Sequence, residues 1–142
     1  MNNKKVWITG EVAAQKYLAK QGYKIVDTNV KLANSEIDIV TICPKRILLK
    51  ELKAEYKNGK LIKSSFLAAK KNLVDTLVFV EVKARTNANF GLPQEAVTAV
   101  KQHHIRRAAE VFANNAKYLG MAMRFDIIAI LNDNIEHIKN AF

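Results

Sequence analysis

An acid and a base lie two residues apart near the end of an apolar segment. Residues 77–85 read Leu-Val-Phe-Val-Glu-Val-Lys-Ala-Arg, a composition that predicts a strand buried on both faces. Alternate side chains of a strand share a face, so Glu81 and Lys83 point the same way. Burying a charge is costly unless it is paired. Two interpretations follow: a structural ion pair, or half of a metal-dependent phosphodiesterase site.

A second acid occupies a similar position in another predicted strand. Residues 23–31 are expected to form one strand, and the turn Asn34-Ser35 leads into the next, residues 36–42. Within the second strand, Asp38 is flanked by isoleucines on both sides. An aspartate is disfavoured there by strand propensity and by desolvation, so Asp38 also needs a partner.

A third acid, Glu11, lies on the first predicted helix. That helix is expected to begin at Gly10 and to end near Gln21, with Thr9 as its cap. Ala14 and Leu18 share a stripe with Glu11, which therefore leans toward the core. The simpler interpretation is that an acid in the first turn stabilises the helix dipole.

These three acids and Lys83 form a set that could hydrolyse a phosphodiester. Oxygen ligands from one or two of the carboxylates of Asp38, Glu81 and Glu11 suit Mg²⁺, or Mn²⁺, which keeps several waters of its own. A metal ion polarises the phosphoryl oxygen and acidifies water. Lys83 could orient that water or offset charge in the transition state. Other catalytic patterns, such as Gly-rich phosphate loops, zinc-ligand spacings or a Ser-His-Asp set, are not evident.

The overall charge indicates a polyanionic partner. The 142 residues, enough for one domain, carry 23 Lys and Arg against 13 Asp and Glu, for a net charge of +10. Nucleic acid is the first candidate and an anionic membrane surface the second. Cys43 is the single cysteine, and neither a secretory signal nor a membrane-spanning apolar run is apparent. We therefore expect a cytoplasmic protein that does not enter membranes.

Residues 44–75 differ in character from their surroundings. They hold nine Lys and Arg against three acids. Apolar residues at helical spacing predict a helical hairpin or broken helix inserted between two strands, and a β-ribbon turning at Asn58-Gly59 is the alternative. The charges could form a solvated face, or an arm that grips phosphates.

The remaining elements complete the predicted fold. A long helix over about 93–118 and strands over 124–131 and 135–138 follow the central strand. The order predicts an α/β mixed sheet of about five strands flanked by helices. Adjacent helix residues such as His103 and His104 do not face one another and are expected at the surface. Asp126 is expected to pair with a neighbouring Arg or Lys.

Taken together, these stretches resemble a known family. Ser35-Glu-Ile-Asp38 followed by Val80-Glu-Val-Lys83 resembles the core of the PD-(D/E)xK nuclease superfamily. More closely, the chain resembles the YraN-type bacterial family, whose fold is similar to that of Holliday junction resolvases. The stretches that carry this resemblance span most of the chain outside 44–75: Gly10-Glu11, Ala13-Ala14, Tyr17-Leu18, Gly22-Tyr23, Asn29, Glu36-Ile-Asp38, Phe79-Val-Glu-Val-Lys83, Arg85, Ala96-Val97, Lys101, Arg124-Phe-Asp126 and His137-Ile-Lys-Asn-Ala-Phe142.

The resemblance implies a restriction-endonuclease-like core formed by a single domain over residues 1–142. It implies that Asp38 and Glu81 hold the metal, that Lys83 is the catalytic lysine, and that Glu11 adds an acid. By the same analogy we expect a homodimer. Two departures are Ser35, where the family usually has glycine, and the basic insert 44–75, which could clamp DNA, form a dimer contact or cover the cleft.

Three functions are compatible with these features. The first is a Mg²⁺-dependent endonuclease acting on branched or damaged DNA. The second is a non-catalytic nucleic-acid-binding module on the same fold, and the third is an assembly factor that contacts RNA or a protein. DNA is favoured over RNA, with backbone or shape recognition. The residues expected to contact nucleic acid are Lys45, Arg46, Lys53, Lys57, Arg85 and Lys101.

Overall fold

A five-stranded mixed sheet with one helix packed on each face forms the core of the protein. The structure is a computed structural model that describes residues 3–48, 55–57, 60–63, 73–86, 91 and 93–142. The elements are α1 (Asn3–Lys20), β1 (Lys24–Leu32), β2 (Ser35–Ile42), β3 (Ile47–Leu48), β4 (Glu55–Lys57), β5 (Lys60–Lys63), β6 (Leu73–Val74), β7 (Thr76–Arg85), α2 (Ala99–Ala113), β8 (Ala122–Leu131) and β9 (Asn134–Ile138).

The sheet has the order β1-β2-β7-β8-β9. Neighbouring strands are antiparallel except β7 and β8, which run parallel and are joined through α2. The parallel pair stays in register from Thr76 beside Ala122 to Arg85 beside Leu131. This arrangement confirms the predicted mixed α/β fold and is consistent with a restriction-endonuclease-like core.

The side chains of β7 alternate between two apolar clusters. Leu77 and Phe79 pack with Ile105 on the α2 side of the sheet, whereas Val78 and Val80 pack on the α1 side. A strand between two helices must be apolar on both faces, which explains the composition of residues 77–82. In the part of the chain that the structure describes, no helix has the length and apolar character that crossing a bilayer requires.

Helix α1 begins earlier than predicted, at Asn3 rather than Gly10. Gly10 lies inside the helix, at a point where α1 passes very close to β7. A Cβ added at Gly10 would lie 2.7 Å from the Cβ of Ala84. Thr9 is therefore within the helix and does not cap it. The glycine that looked like a helix start permits close helix–strand packing instead.

The predicted helix over 93–118 is wrong at both ends. Pro93–Ala96 form a short 3-10 helix, and α2 begins only at Ala99 and ends at Ala113. The Thr98 side chain caps α2 by accepting a hydrogen bond from the backbone N–H of Lys101. A favourable threonine cap competes with helix continuation from Pro93, and this places Lys101 in the first turn of α2.

The expected helical insert is corrected where the structure describes it. Within 44–75, β3 pairs with β6 and β4 pairs with β5, both antiparallel. The β4–β5 pair lies on either side of Asn58-Gly59, in agreement with the β-ribbon alternative, because Asn-Gly is a strong hairpin signal. The remaining insert residues, 49–54, 58–59 and 64–72, lie outside the described residues.

Candidate metal and nucleic-acid site

The two strand acids meet where the β2–β7 ladder ends. The ladder runs from Ile42 beside Leu77 to Ile39 beside Val80. Continuing this register by one residue would place Asp38 opposite Glu81. Beyond the last backbone pair, the backbone N–H of Val82 donates a hydrogen bond to Oδ2 of the Asp38 side chain, at 2.8 Å. Both acids are buried. Their carboxylates therefore lie side by side, on the α2 side of the sheet.

Asp38 occupies an unusual position for an ionised group. The residue is buried, with 7% of its surface exposed. Burial and the neighbouring charge of Glu81 raise the pKa of Asp38 to about 7, while the hydrogen bond from the Val82 N–H and the charge of Lys101 act in the opposite direction. Burial and the charge of Glu81 thus outweigh the stabilisation that the described neighbours give to the ionised form of Asp38.

Glu81, by contrast, is held by two ammonium groups. The Nζ atom of Lys83 lies 3.2 Å from Glu81 Oε1, and the Nζ of Lys101 contacts the same oxygen. Burial lowers the pKa of Lys83 despite the adjacent Glu81 charge. Burial also acts to lower the pKa of Lys101, but the hydrogen bond and charge of Glu81, together with Lys83 and Asp38, raise the pKa overall. Lys83 is confirmed as a neighbour of Glu81 on the same face.

Glu11 lies near this pair without joining it. Burial raises the pKa of Glu11, a hydrogen bond with Asn29 opposes the shift, and the charges of Glu36 and Glu81 add to it. Asn29 adopts a left-handed backbone conformation with φ of 51°, which asparagine tolerates better than most residues. Among the described residues, no three His, Cys, Asp or Glu side chains are grouped to hold a metal. Glu11 is therefore close enough to Glu81 for electrostatic coupling, but its carboxylate is not grouped with those of Asp38 and Glu81.

A cleft opens over the two acids. It has a volume of about 460 Å³ and lies between the β1–β2 turn and the start of α2. Its walls include Ser35 and Glu36 on one side and Thr98, Lys101 and His104 on the other, with Asp38 and Glu81 also lining it. A ligand that enters this cleft would meet both carboxylates and the ammonium of Lys101.

The donor set fits a hard divalent cation. Asp38 and Glu81 offer oxygen ligands, which Mg²⁺ and Mn²⁺ prefer. The raised pKa of Asp38 marks a carboxylate whose charged form a nearby cation would stabilise. Two protein carboxylates match the usual Mg²⁺ site, in which water and substrate supply the remaining ligands.

The residues predicted to contact nucleic acid have different positions. Lys45 is exposed, and Arg46 is exposed although its Nε pairs with Asp75 at 2.9 Å. Arg85, which is partly exposed, donates to the Gly91 carbonyl at 3.4 Å. Lys57 lies in β4, and Lys53 lies outside the described residues. Among the members of this set that the structure describes, Lys101 lines the cleft.

Asp126 is paired, as predicted, and lies away from the cleft. Arg124 donates to it through Nε at 2.8 Å and Nη2 at 2.7 Å. His137 Nε2 lies 2.7 Å from Asp126 Oδ2, and the backbone N–H of Asn140 donates to Oδ1 at 2.9 Å. Burial acts to raise the pKa of Asp126, but these hydrogen bonds lower it overall. Arg124 also donates to the Tyr23 hydroxyl at 2.9 Å. The network ties three segments together in the core.

Sequence reasoning missed two features of the site. The first is the contact of Lys101 with Glu81; Thr98, three residues earlier, was the available signal, because its cap fixes the first turn of α2. The second is His104, which is exposed but lines the cleft one turn after Lys101. The spacing of three residues between Lys101 and His104 would have placed them on one helix face.

Several bacterial proteins are similar to this chain over most of its length. A UPF0102 protein of Caldanaerobacter subterraneus subsp. tengcongensis is 36% identical over 149 aligned residues, covering 100% of this chain and 98% of the relative. A UPF0102 protein of Geobacter metallireducens is 35% identical, with 100% and 95% covered. A UPF0102 protein of Chloroherpeton thalassium is 36% identical, with 94% and 78% covered. Residues 10–130 match the sequence model of the uncharacterised protein family UPF0102. The chain therefore belongs to family UPF0102, the family that the YraN-type resemblance indicated.

Proposed function

We propose that this protein is a divalent-metal-dependent endonuclease of the PD-(D/E)xK superfamily that hydrolyses phosphodiester bonds in branched or otherwise structured DNA. The observation that carries the proposal is the pair of buried carboxylates, Asp38 and Glu81, at the end of one ladder. Lys83 lies beside them, 3.2 Å from Glu81. An ordinary core would hold apolar side chains at these positions.

Each residue of the site has a defined role in this proposal. Asp38 and Glu81 would hold Mg²⁺ or Mn²⁺ through their oxygens. The bound ion would supply Lewis acidity toward the phosphoryl oxygen and acidify water. Lys83, with 13% of its side chain exposed, would orient the attacking water and offset charge that develops on the phosphate. Glu11 would add negative potential from α1.

The charge of the chain supports DNA as the substrate. A net charge of +10 draws a polyanion toward the protein, and the cleft gives its phosphates access to both acids. Recognition of backbone and shape fits a site whose polar groups are charged rather than base-specific. By analogy with resolvases, the enzyme would act as a homodimer in the cytoplasm on two-fold symmetric junctions.

Cleavage assays test the proposal directly. Purified wild-type protein is incubated with four-way junction, flap, single-stranded DNA and RNA substrates, with Mg²⁺, Mn²⁺ or EDTA. We expect the wild type to cut a structured DNA only when a divalent cation is present. Asp38→Asn and Glu81→Gln should lose cleavage by at least about a hundredfold, because each removes charge needed to hold the cation.

Matched variants separate chemistry from folding. Asp27→Asn and Glu110→Gln remove one exposed carboxylate each and should cut like the wild type. Loss of cleavage in these controls, or cleavage by Asp38→Asn at the wild-type rate, would contradict the proposed site. Circular dichroism of every variant shows whether the fold is retained.

A non-catalytic nucleic-acid-binding module is the second candidate, and one contact favours it. Lys101 already neutralises the Glu81 carboxylate, as it would in a site that never takes up a cation. In that case junction DNA binds equally well to wild type and to Asp38→Asn, and neither protein cuts it. An assembly factor differs again, since association with a protein rather than a polyanion would be less sensitive to salt.

A further inference from the structure

Two ammonium groups contact the same carboxylate oxygen in the candidate site. Lys83 and Lys101 both contact Glu81 Oε1, while Asp38 has only a backbone N–H donor within hydrogen-bond distance among its described contacts. Cationic partners are therefore crowded at Glu81. We propose that the Lys101 ammonium pairs with Glu81 until a divalent cation binds there, and that it then transfers to a substrate phosphate. This inference rests on the proposed function.

The balance of charge explains why one ammonium must leave. Asp38 and Glu81 carry two negative charges when ionised, and Lys83 and Lys101 carry two positive charges, so the formal charges cancel. Adding a divalent cation makes the buried site doubly positive, which is strongly unfavourable. Movement of one ammonium from the buried carboxylates to the cleft takes one positive charge out of the buried site, and the negative charge of an arriving phosphodiester offsets the other. Cation and phosphate binding are thereby coupled.

Burial identifies Lys101 as the group that moves. The Lys83 side chain has 13% of its surface exposed, whereas that of Lys101 has 40% exposed. Lys83 also extends from the same strand as Glu81, two residues away, so it stays beside Glu81 in any rotamer that keeps it buried. Lys101 reaches Glu81 from the first turn of α2 across the cleft. A flexible four-carbon stem lets its ammonium move without the helix moving.

The cleft provides the new position for the Lys101 ammonium. Lys101 and His104 both line the α2 wall, and Arg107 continues the same helix face three residues further on and is exposed. A nucleic-acid backbone running along α2 would meet these basic groups in succession. The released ammonium of Lys101 would be the one nearest to the phosphate beside Asp38 and Glu81.

Cation binding without nucleic acid is the first test. Mn²⁺ is titrated into wild type, Lys101→Met and Lys117→Met, and free Mn²⁺ is followed by electron paramagnetic resonance or heat by calorimetry. Lys117 is an exposed lysine outside α2 and is the matched control. We expect Lys101→Met to bind Mn²⁺ about threefold to tenfold more tightly, because the cation no longer displaces an ammonium. Equal or weaker binding than the wild type would overturn the proposal.

The salt dependence of DNA binding is the second test. Junction DNA is bound in the cold, before product accumulates, over a range of salt concentrations with and without Mn²⁺. With Mn²⁺, Lys101→Met should show a slope of log K against log salt that is shallower by about 1 than the wild type, the loss of one phosphate contact. Without Mn²⁺ the two slopes should agree, because Lys101 then stays on Glu81. A change of slope that is the same in both conditions would contradict the transfer.

The two proposals fail in different ways. If wild type cuts DNA but Lys101→Met matches it in Mn²⁺ affinity and in both slopes, the transfer of Lys101 is wrong and the endonuclease stands. If neither wild type nor Lys101→Met binds Mn²⁺, both proposals are wrong. Tighter Mn²⁺ binding by Lys101→Met together with the Mn²⁺-dependent change in slope supports the transfer.

Discussion

The backbone N–H of Val82 donates to the carboxylate of Asp38 at 2.8 Å, at the point where β2 and β7 stop pairing through their backbones. The Asp38 side chain thus links β2 to β7 just beyond the last pair of residues that the two backbones form. This bond fixes the Asp38 carboxylate beside Glu81 and satisfies a buried donor of β7. The geometry of the candidate site therefore depends on the point at which β2 and β7 stop pairing.

Asp38 should make the stability of the cation-free protein depend on pH. Its pKa is raised from 3.8 to about 7 by burial and by Glu81. A raised folded-state pKa gives a stabilising contribution that is complete below the unfolded value and is lost as the pH rises through 7. Between pH 3.8 and about 7, the free energy of unfolding of Asp38→Asn should therefore rise relative to that of the wild type. The rise should be up to about 1.4 kcal/mol per pH unit.

Urea denaturation with EDTA at a series of pH values measures this difference. The amide introduced by Asp38→Asn retains an oxygen that can accept from the Val82 N–H, so the comparison isolates the charge. Asp27→Asn, which changes an exposed aspartate, serves as the control and should follow the wild type throughout. A stability difference between wild type and Asp38→Asn that is independent of pH would contradict the raised pKa.

A divalent cation should stabilise the folded protein through the same pair of acids. A ligand at about 100 times its Kd adds about 2.7 kcal/mol to the free energy of unfolding, which corresponds to a rise in Tm of several degrees for a domain of this size. Thermal unfolding with increasing Mg²⁺ or Mn²⁺ measures the shift. Asp38→Asn and Glu81→Gln should show little of it, and Glu110→Gln should show all of it; equal shifts in all four proteins would place the cation elsewhere.

The positions of the two acids could be predicted because they follow from short-range rules. Strand alternation placed Glu81 and Lys83 on one face, and their contact confirms it. Asp38 was conspicuous because its neighbours are isoleucines, and its burial agrees with that pattern. The five-stranded sheet followed from the order of apolar segments.

The structure of the insert and the start of α2 could not be predicted, because competing local signals occur in both places. In the insert, helical spacing of apolar residues and the hairpin signal Asn58-Gly59 occur in the same stretch, and the strands β4 and β5 form there. At α2, Pro93 and Thr98 both favour a helix start, and the cap at Thr98 determines where α2 begins. Thr98 indicates where α2 starts, but the contact of Lys101 with Glu81 also requires α2 to pack on the sheet, and no local pattern encodes that packing.

The network around Asp126 should contribute to stability and not to the proposed chemistry. Asp126 is fully buried and accepts hydrogen bonds from Arg124 and Asn140, with His137 alongside. Asp126→Ala leaves Arg124 without its carboxylate partner, so we expect a loss of about 3–5 kcal/mol in the free energy of unfolding. Urea denaturation measures this loss.

Mn²⁺ titration below the unfolding transition provides the complementary measurement for Asp126→Ala. Cation affinity should match that of the wild type, because Asp126 is not among the groups that line the cleft. Asp27→Ala, at an exposed position, should change the free energy of unfolding by less than about 0.5 kcal/mol. A loss of Mn²⁺ binding in folded Asp126→Ala would mean that this network belongs to the metal site.

The close approach of α1 to β7 should make Gly10 sensitive to a single methyl group. A Cβ at Gly10 would lie 2.7 Å from the Ala84 Cβ, so Gly10→Ala forces the helix and strand apart, at a cost of about 1–3 kcal/mol. The double variant Gly10→Ala with Ala84→Gly removes the clashing atom and should recover part of that loss, since the two positions are in contact. Denaturant unfolding of the two single variants and the double variant gives the coupling energy. Additive losses would show that the two residues do not touch, and that α1 has room to move relative to the strand that carries Glu81 and Lys83.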